Sequence, residues 1–162
     1  MEANNIIVLA IIVTSVATYI SRFFGVLTSE KVSVKSFGAS GDGSDQTVVM
    51  QRAIDQLYLN SATKGSTASR VTLEIPAGEY LLSASLKLPP YATIVGAGQD
   101  KVKITQGGNA PVFETVNSGS TPGSYAQDSS STTLNQAQKI LLKGFTIIQN
   151  TTNLGISLVS CK

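Results

Sequence analysis

The sequence predicts an all-β domain built from short strands around one helix. Three observations carry this. From Arg70 onward, apolar runs of three to five residues are separated by Gly and Pro breakers. One segment, Gln46 to Asn60, repeats apolar residues at helical spacing instead. No crossover helices separate the strands, which excludes a doubly wound α/β sheet because each parallel crossover there needs a dozen or more residues. A sandwich, a barrel and a β-solenoid remain.

The elements follow in order. Val32 to Phe37 alternates apolar and polar residues and reads as a strand. Gly38-Ala39-Ser40-Gly41-Asp42-Gly43-Ser44-Asp45 reads as a tight turn that needs positive φ or close backbone approach. Asp45 or Ser44 is placed to cap the following helix. On that helix Val49, Met50, Ala53, Ile54, Leu57 and Tyr58 form one apolar face. Ser61 to Ser69 is a polar loop. Strands are then expected at Val71–Ile75, Tyr80–Leu82, Ser85–Leu88, Thr93–Val95, Lys101–Thr105, Val112–Val116, Lys139–Leu142, Phe145–Ile148 and Ile156–Val159. Breaks fall at Pro76-Ala77-Gly78, Pro89-Pro90 and Gly96-Ala97-Gly98. Residues 117–135 are rich in Ser, Thr, Gly and Asn and read as a loop projecting from the strands, open to contact with sugar or a neighbouring subunit.

Composition narrows the chemistry. The chain has 162 residues, enough for one domain of common size. Charged residues are 14% of it and the net charge is +2, with Lys and Arg scattered. No basic run suggests a nucleic-acid partner. There is no His, which removes His-based acid–base chemistry and His-containing metal sites. The single Cys161 excludes an internal disulfide and a thiolate-cluster zinc site. No cofactor and no metal site is expected.

Residues 1–31 differ from the rest. Ile6 to Ile20 carries no charge, and apolar character resumes after Arg22 through Leu27. As a helix, Ile6–Leu27 would be roughly 33 Å long, enough to cross a bilayer core. Burial in an assembly, as a strand or central helix, would satisfy the same residues. The domain organisation expected is an apolar anchor or assembly segment over 1–31 and a β domain over 32–162.

Val32 to Asp55 resembles the opening of the pectate-lyase-like right-handed β-helix superfamily. The matching pieces are Phe37-Gly38-Ala39, Gly41-Asp42-Gly43, Asp45, Thr47 and Ala53-Ile54-Asp55. The resemblance continues through Ile75-Pro76-Ala77-Gly78-Glu79-Tyr80 and Val95-Gly96-Ala97-Gly98. It implies a short right-handed parallel β-helix, or β-solenoid, capped at its start by the helix Gln46–Asn60. Inward positions would be Val71, Leu73, Ile75, Leu86, Leu88, Ile94, Val102, Ile104, Leu142, Phe145, Ile147 and Leu158. Gly38, Gly41, Asp42, Gly43, Asp45 and Thr47 would form the turn and helix cap; Pro76, Gly78, Gly96 and Gly98 would form coil turns. Asp42 and Asp45 would bond the turn backbone, with a carbohydrate or cation site as the alternative.

The superfamily is common in bacteriophage tailspikes and tail fibres and in secreted polysaccharide lyases and hydrolases. Hydrolysis needs paired carboxylates, and no pair stands out among Asp100, Glu114 and Asp128 or in the earlier turns. The resemblance therefore implies a structural and host-attachment protein of a virion tail. It would be a homotrimer, touching a cell-surface polysaccharide and a membrane or tail protein through Ile6–Leu27. The apolar last strand, with no capping element after it, points to cover by neighbouring chains or by more of the same chain. A membrane-anchored or exported envelope adhesin, or a polysaccharide lyase or hydrolase of the envelope, is the alternative.

Overall fold

In a computed structural model, the described residues are 30–59, 71–127, 136–152, 154–159 and 161. Eleven parallel strands in this part of the chain distribute over three sheets: β1 (Glu30–Ser33), β2 (Asp42–Asp45), β3 (Val71–Ile75), β4 (Gly78–Leu82), β5 (Leu86–Leu88), β6 (Thr93–Gly96), β7 (Val102–Gln106), β8 (Phe113–Thr115), β9 (Leu141–Lys143), β10 (Thr146–Gln149) and β11 (Ile156–Ser157). The sheet orders are β1-β3-β6-β9, β2-β4-β7-β10 and β5-β8-β11. Each sheet thus takes one strand from successive passes of the chain. This mostly β, all-parallel arrangement with one α-helix matches a pectate-lyase-like domain.

Register explains the core. Leu73 lies beside Ile94, and Ile94 beside Leu142. Tyr80 lies beside Ile104, which lies beside Ile147. Leu86 lies beside Phe113, and Phe113 beside Ile156. Because side chains alternate along a strand, in-register parallel pairing sets like upon like on the inner face. Leu73, Ile75, Tyr80, Leu82, Leu86, Leu88, Ile94, Val102, Ile104 and Phe113 are all essentially inaccessible.

The helix α1 (Thr47–Ile54) closes onto this core with Met50, Ala53 and Ile54, all buried. It continues as a π-helical turn over Asp55–Leu59 rather than as regular α-helix, and Asn60 lies outside the described residues. The wider turn accompanies a buried Tyr58 whose hydroxyl donates toward the carbonyls of Val71 (3.0 Å) and Thr93 (2.7 Å). Leu73 N–H donates back to the same oxygen at 3.3 Å. One phenol thus meets the backbones of two adjacent strands of one sheet, β3 and β6.

Several expectations are corrected. Val34–Phe37 is a 3₁₀ turn, not strand: the Ser33 hydroxyl accepts from Lys35 N, and Gly38 ends the turn in the left-handed region at φ 101°. The first strand therefore starts at Glu30. Asp42–Asp45 is not only a turn. It pairs with β4, anchored by Glu79 N to Gly41 O (3.0 Å) and Gln46 N to Leu81 O (2.9 Å).

Of the expected inward residues, Leu158 is 69% exposed, because the chain leaves β11 after Ser157. Val71, at the start of β3, is half-buried, as are Leu142, Phe145 and Ile147. For the last three, among the described residues no strand stacks beyond β9 and β10. Leu57 is also half-buried, packed against the core's edge. Residues 117–127 of the expected loop do not simply project, and 128–135 lie outside the described residues. Asn117 and Ser120 are buried, and a Thr121–Ser124 bridge folds 117–127 into a small hairpin. The apolar segment Ile6–Leu27 and the loop Ser61–Ser69 lie outside the described residues.

Ile54→Ala is expected to lower unfolding free energy by about 2–5 kcal/mol. Val48→Ala, on the exposed side of the same helix, is expected to change it by less than about 0.5 kcal/mol. Denaturant titration of both variants checks this.

Candidate functional site

The best-ordered polar constellation is the turn that hands the chain from β2 to α1. Asp42 accepts three bonds on one oxygen, from Ser40 Oγ (2.8 Å), Ser44 N (3.0 Å) and Ser44 Oγ (2.6 Å). These donors favour its ionised form and hold its pKa at about 2, below the ordinary 3.8. Asp45 accepts Thr47 N (2.9 Å) and Thr47 Oγ1 (2.6 Å) from just before the N-cap position Gln46, whose own side chain makes no capping bond, and its pKa is lowered by these bonds. Thr47 Oγ1 also accepts from Ser83 N at 2.8 Å, fastening the helix start to the turn after β4. Gly38 and Gly41 flank this turn in left-handed conformations.

Two of the turn glycines differ in what they do. Gly43 sits at φ +86° with open space around it, so only its backbone conformation resists a side chain. At Gly78 an added Cβ would stand 2.6 Å from Gly41 O, inside the bonded approach of β2 to β4. Pro76 supplies the carbonyl that accepts Tyr80 Oη at 2.8 Å. Gly96 backs directly onto Gly144 of the next coil. Gly98 O accepts from Lys101 N and Val102 N, both at 3.0 Å, closing the turn into β7.

The sequence reading missed three residues that hold the helix, Gln46, Gln51 and Tyr125, and the bonds of a fourth, Tyr58, which it placed on the apolar face. Gln46 is buried and bridges the turn: Ser40 N donates to its Oε1 (3.1 Å), and its Nε2 donates to Ser44 Oγ (2.6 Å). Gln51 Oε1 accepts Lys87 N at 2.7 Å, and its Nε2 donates to Asp55 at 2.8 Å. Tyr125, from the hairpin, donates to the other Asp55 oxygen at 2.7 Å. Tyr58 is described above. Their signal in sequence was faint: polar residues inside an amphipathic helix, and one Tyr in a Ser/Thr-rich run.

Three further acids form ion pairs. Glu74 pairs with Lys31 (2.8 Å), Glu79 with Lys103 (3.2 Å) and Glu114 with Lys87. Among the described residues no three His, Cys, Asp or Glu side chains gather as metal ligands. No helix there is long and apolar enough to cross a membrane.

With this geometry in view, residues 31–161 match the family described as rhamnogalacturonase A/epimerase, pectate lyase-like. The chain belongs to this family. It is 36% identical over 95 residues to the putative phage-related protein YobO of Bacillus subtilis (strain 168), covering 59% of this chain and 10% of that protein. It is 33% identical over 86 residues to the pre-neck appendage protein of Bacillus phage B103, covering 52% of this chain and 8% of that one. The chain thus spans a tenth or less of the length of these relatives. Its fold is similar to that of Geobacillus virus E2 ORF18, with TM-score 0.51 at 22% identity, over 87% of this chain and 25% of the other.

Two outcomes test the cap. Gly78→Val should destabilise the domain more than Gly43→Val, because only the former meets backbone; thermal melts compare them. Asp42 is ionised more readily when folded than when unfolded. Its contribution is therefore complete above the unfolded value near 3.8 and is lost as pH falls toward about 2. Asp42→Asn should flatten the stability–pH curve over that window, and NMR titration of the carboxyl should give a midpoint near the lower value.

Proposed function

We propose that this chain forms part of a phage virion structural protein of tailspike or tail-fibre type, serving host attachment. The observation that carries this reading is the similarity to a phage appendage protein and to a phage-related protein, both far longer than the chain. In this reading the three sheets close into a short right-handed β-helix. α1 and its turn protect the open edge of the first coil. Ile6–Leu27 is buried against a tail protein, against sister chains or in a membrane.

The polar residues support a scaffold. Asp42, Asp45 and Asp55 satisfy backbone and side-chain donors of the cap, and Glu74, Glu79 and Glu114 sit in ion pairs. A glycosidase would instead need two carboxyls flanking one glycosidic bond, about 5–5.5 Å apart for retention or about 6.5–9.5 Å apart for inversion. The assembly proposed is a homotrimer; the apolar side chains exposed at Leu141, Ile148, Leu154, Ile156 and Leu158 are surface for neighbouring chains or for more of the same chain to cover.

Mass spectrometry of purified phage virions should find peptides of residues 71–162, and sedimentation of the 162-residue chain expressed by itself should give three times 16.9 kDa. Virions lacking those peptides would contradict the attachment reading. A stable monomer would contradict the trimer.

A further inference from the structure

The chain leaves the sheets at Val116, whose N–H still donates to Leu88 O at 2.9 Å, and turns into the hairpin 117–127. The hairpin is satisfied from within. Asn117 N donates to Ala126 O (2.9 Å) at its neck, and Thr121 and Ser124 exchange two backbone bonds (2.9 and 2.8 Å) at its tip. Between them the wholly buried Ser120 accepts Ala126 N on its Oγ at 2.9 Å, and Asn117 Oδ1 accepts Gly119 N at 2.9 Å. A segment whose backbone groups pair among themselves keeps them paired when it moves as a unit.

Its hold on the rest of the domain is of another kind. None of residues 117–127 joins the apolar core. Between the hairpin and the outer side of α1 lies a cleft of about 730 Å³, with Pro122 and Tyr125 on one wall and mostly polar residues, among them Thr47, Gln51 and Gln56, on the other. Open space rather than packed side chains thus separates the two. What crosses it is a polar latch: Tyr125 Oη donates to Asp55 at 2.7 Å. Burial, and then Asp55 itself, push the phenol's pKa up, so the hydroxyl keeps its proton and its place as donor. Behind the latch, Gln51 donates to the other Asp55 oxygen and accepts Lys87 N, which refers the contact to β5. At the hairpin's return, Gln127 Nε2 donates to Glu114 and to Thr115 O (3.2 Å), fixing the neck to β8.

These holds differ in consequence. Val116 and Gln127 fix the two ends, while the body between them meets α1 through the Tyr125–Asp55 bond across an open cleft. Breaking that bond leaves Asp55 with Gln51 and admits water to its second oxygen, so no buried charge is stranded.

We propose that residues 117–126 form a strap, latched shut on α1 by Tyr125 and Asp55, that swings open about its neck while the sheets stay folded. Opening it uncovers Asp55 and widens the cleft along the outer side of α1. The strap is a property of the chain itself and stands apart from the attachment reading.

Relaxation-dispersion NMR of the full 162-residue chain, parent and Tyr125→Phe, tests this. Phe keeps the ring and removes the donor outside the core, so the melting temperature should be unchanged. Exchange on the microsecond-to-millisecond timescale of lid motions should be confined to amides of 117–126 and to Gln51 and Asp55. The open population in Tyr125→Phe should exceed the parent's about ten-fold or more, the factor that a charge-assisted bond sets. Val48→Ala, which lines the cleft without touching the latch, should leave that population within about two-fold. Hairpin amides without exchange in Tyr125→Phe, an open population no higher there than in the parent, exchange running equally through β3–β8, or an equal rise in Val48→Ala would overturn the proposal.

Discussion

In-register parallel stacking is the constraint on which the rest of this structure depends. Each inward position must suit the residue one coil above and one coil below it. Leu73, Ile94 and Leu142 form one such column, and Tyr80, Ile104 and Ile147 another. Even a polar column obeys the rule: Gln106 is wholly buried and aligns with Gln149 above it, while its amide serves Pro111 O and Gly108 N within its own coil. The same stacking brings backbones close at the corners, where Gly96 and Gly144 leave no room for side chains.

The helix is held against the sheets by directional bonds as well as apolar area. Met50, Ala53 and Ile54 are buried in the core. Orientation comes from Thr47 to Ser83, Gln51 to Lys87, and Tyr58 to the backbones of Val71, Leu73 and Thr93. Each bond ties the helix to a residue of the first or second coil, so the cap is fixed in register with the strands beneath it.

Much of this was legible in the residues. Short β-branched runs broken by Gly and Pro located nearly every strand after residue 70 within a residue or two, because side-chain alternation and chain-breaking are local effects. The FGA and GDG pieces marked the turn into the helix. What was not legible has two sources, local turn chemistry that overrides alternation and partners distant in sequence. Val34–Phe37 alternates like a strand, yet Ser33 and Gly38 close it into a 3₁₀ turn. Asp42–Asp45 is too polar and glycine-rich to read as a strand, and only the edge of β4 makes it one. Tyr125 and Asp55 lie 70 positions apart, so their bond had no local signature. Leu158 alternates correctly but lies beyond the last paired residue.

The central claim is the stacking register itself, and backbone NMR tests it most directly. In parallel strands about 4.8 Å apart, nuclear Overhauser contacts should connect Leu73 with Ile94 and Tyr80 with Ile104 along the sheets. Cross-strand Hα–Hα contacts of an antiparallel ladder should be absent from β3, β4, β6 and β7. Strong Hα–Hα contacts between those strands, or pairing displaced by one residue, would contradict the account.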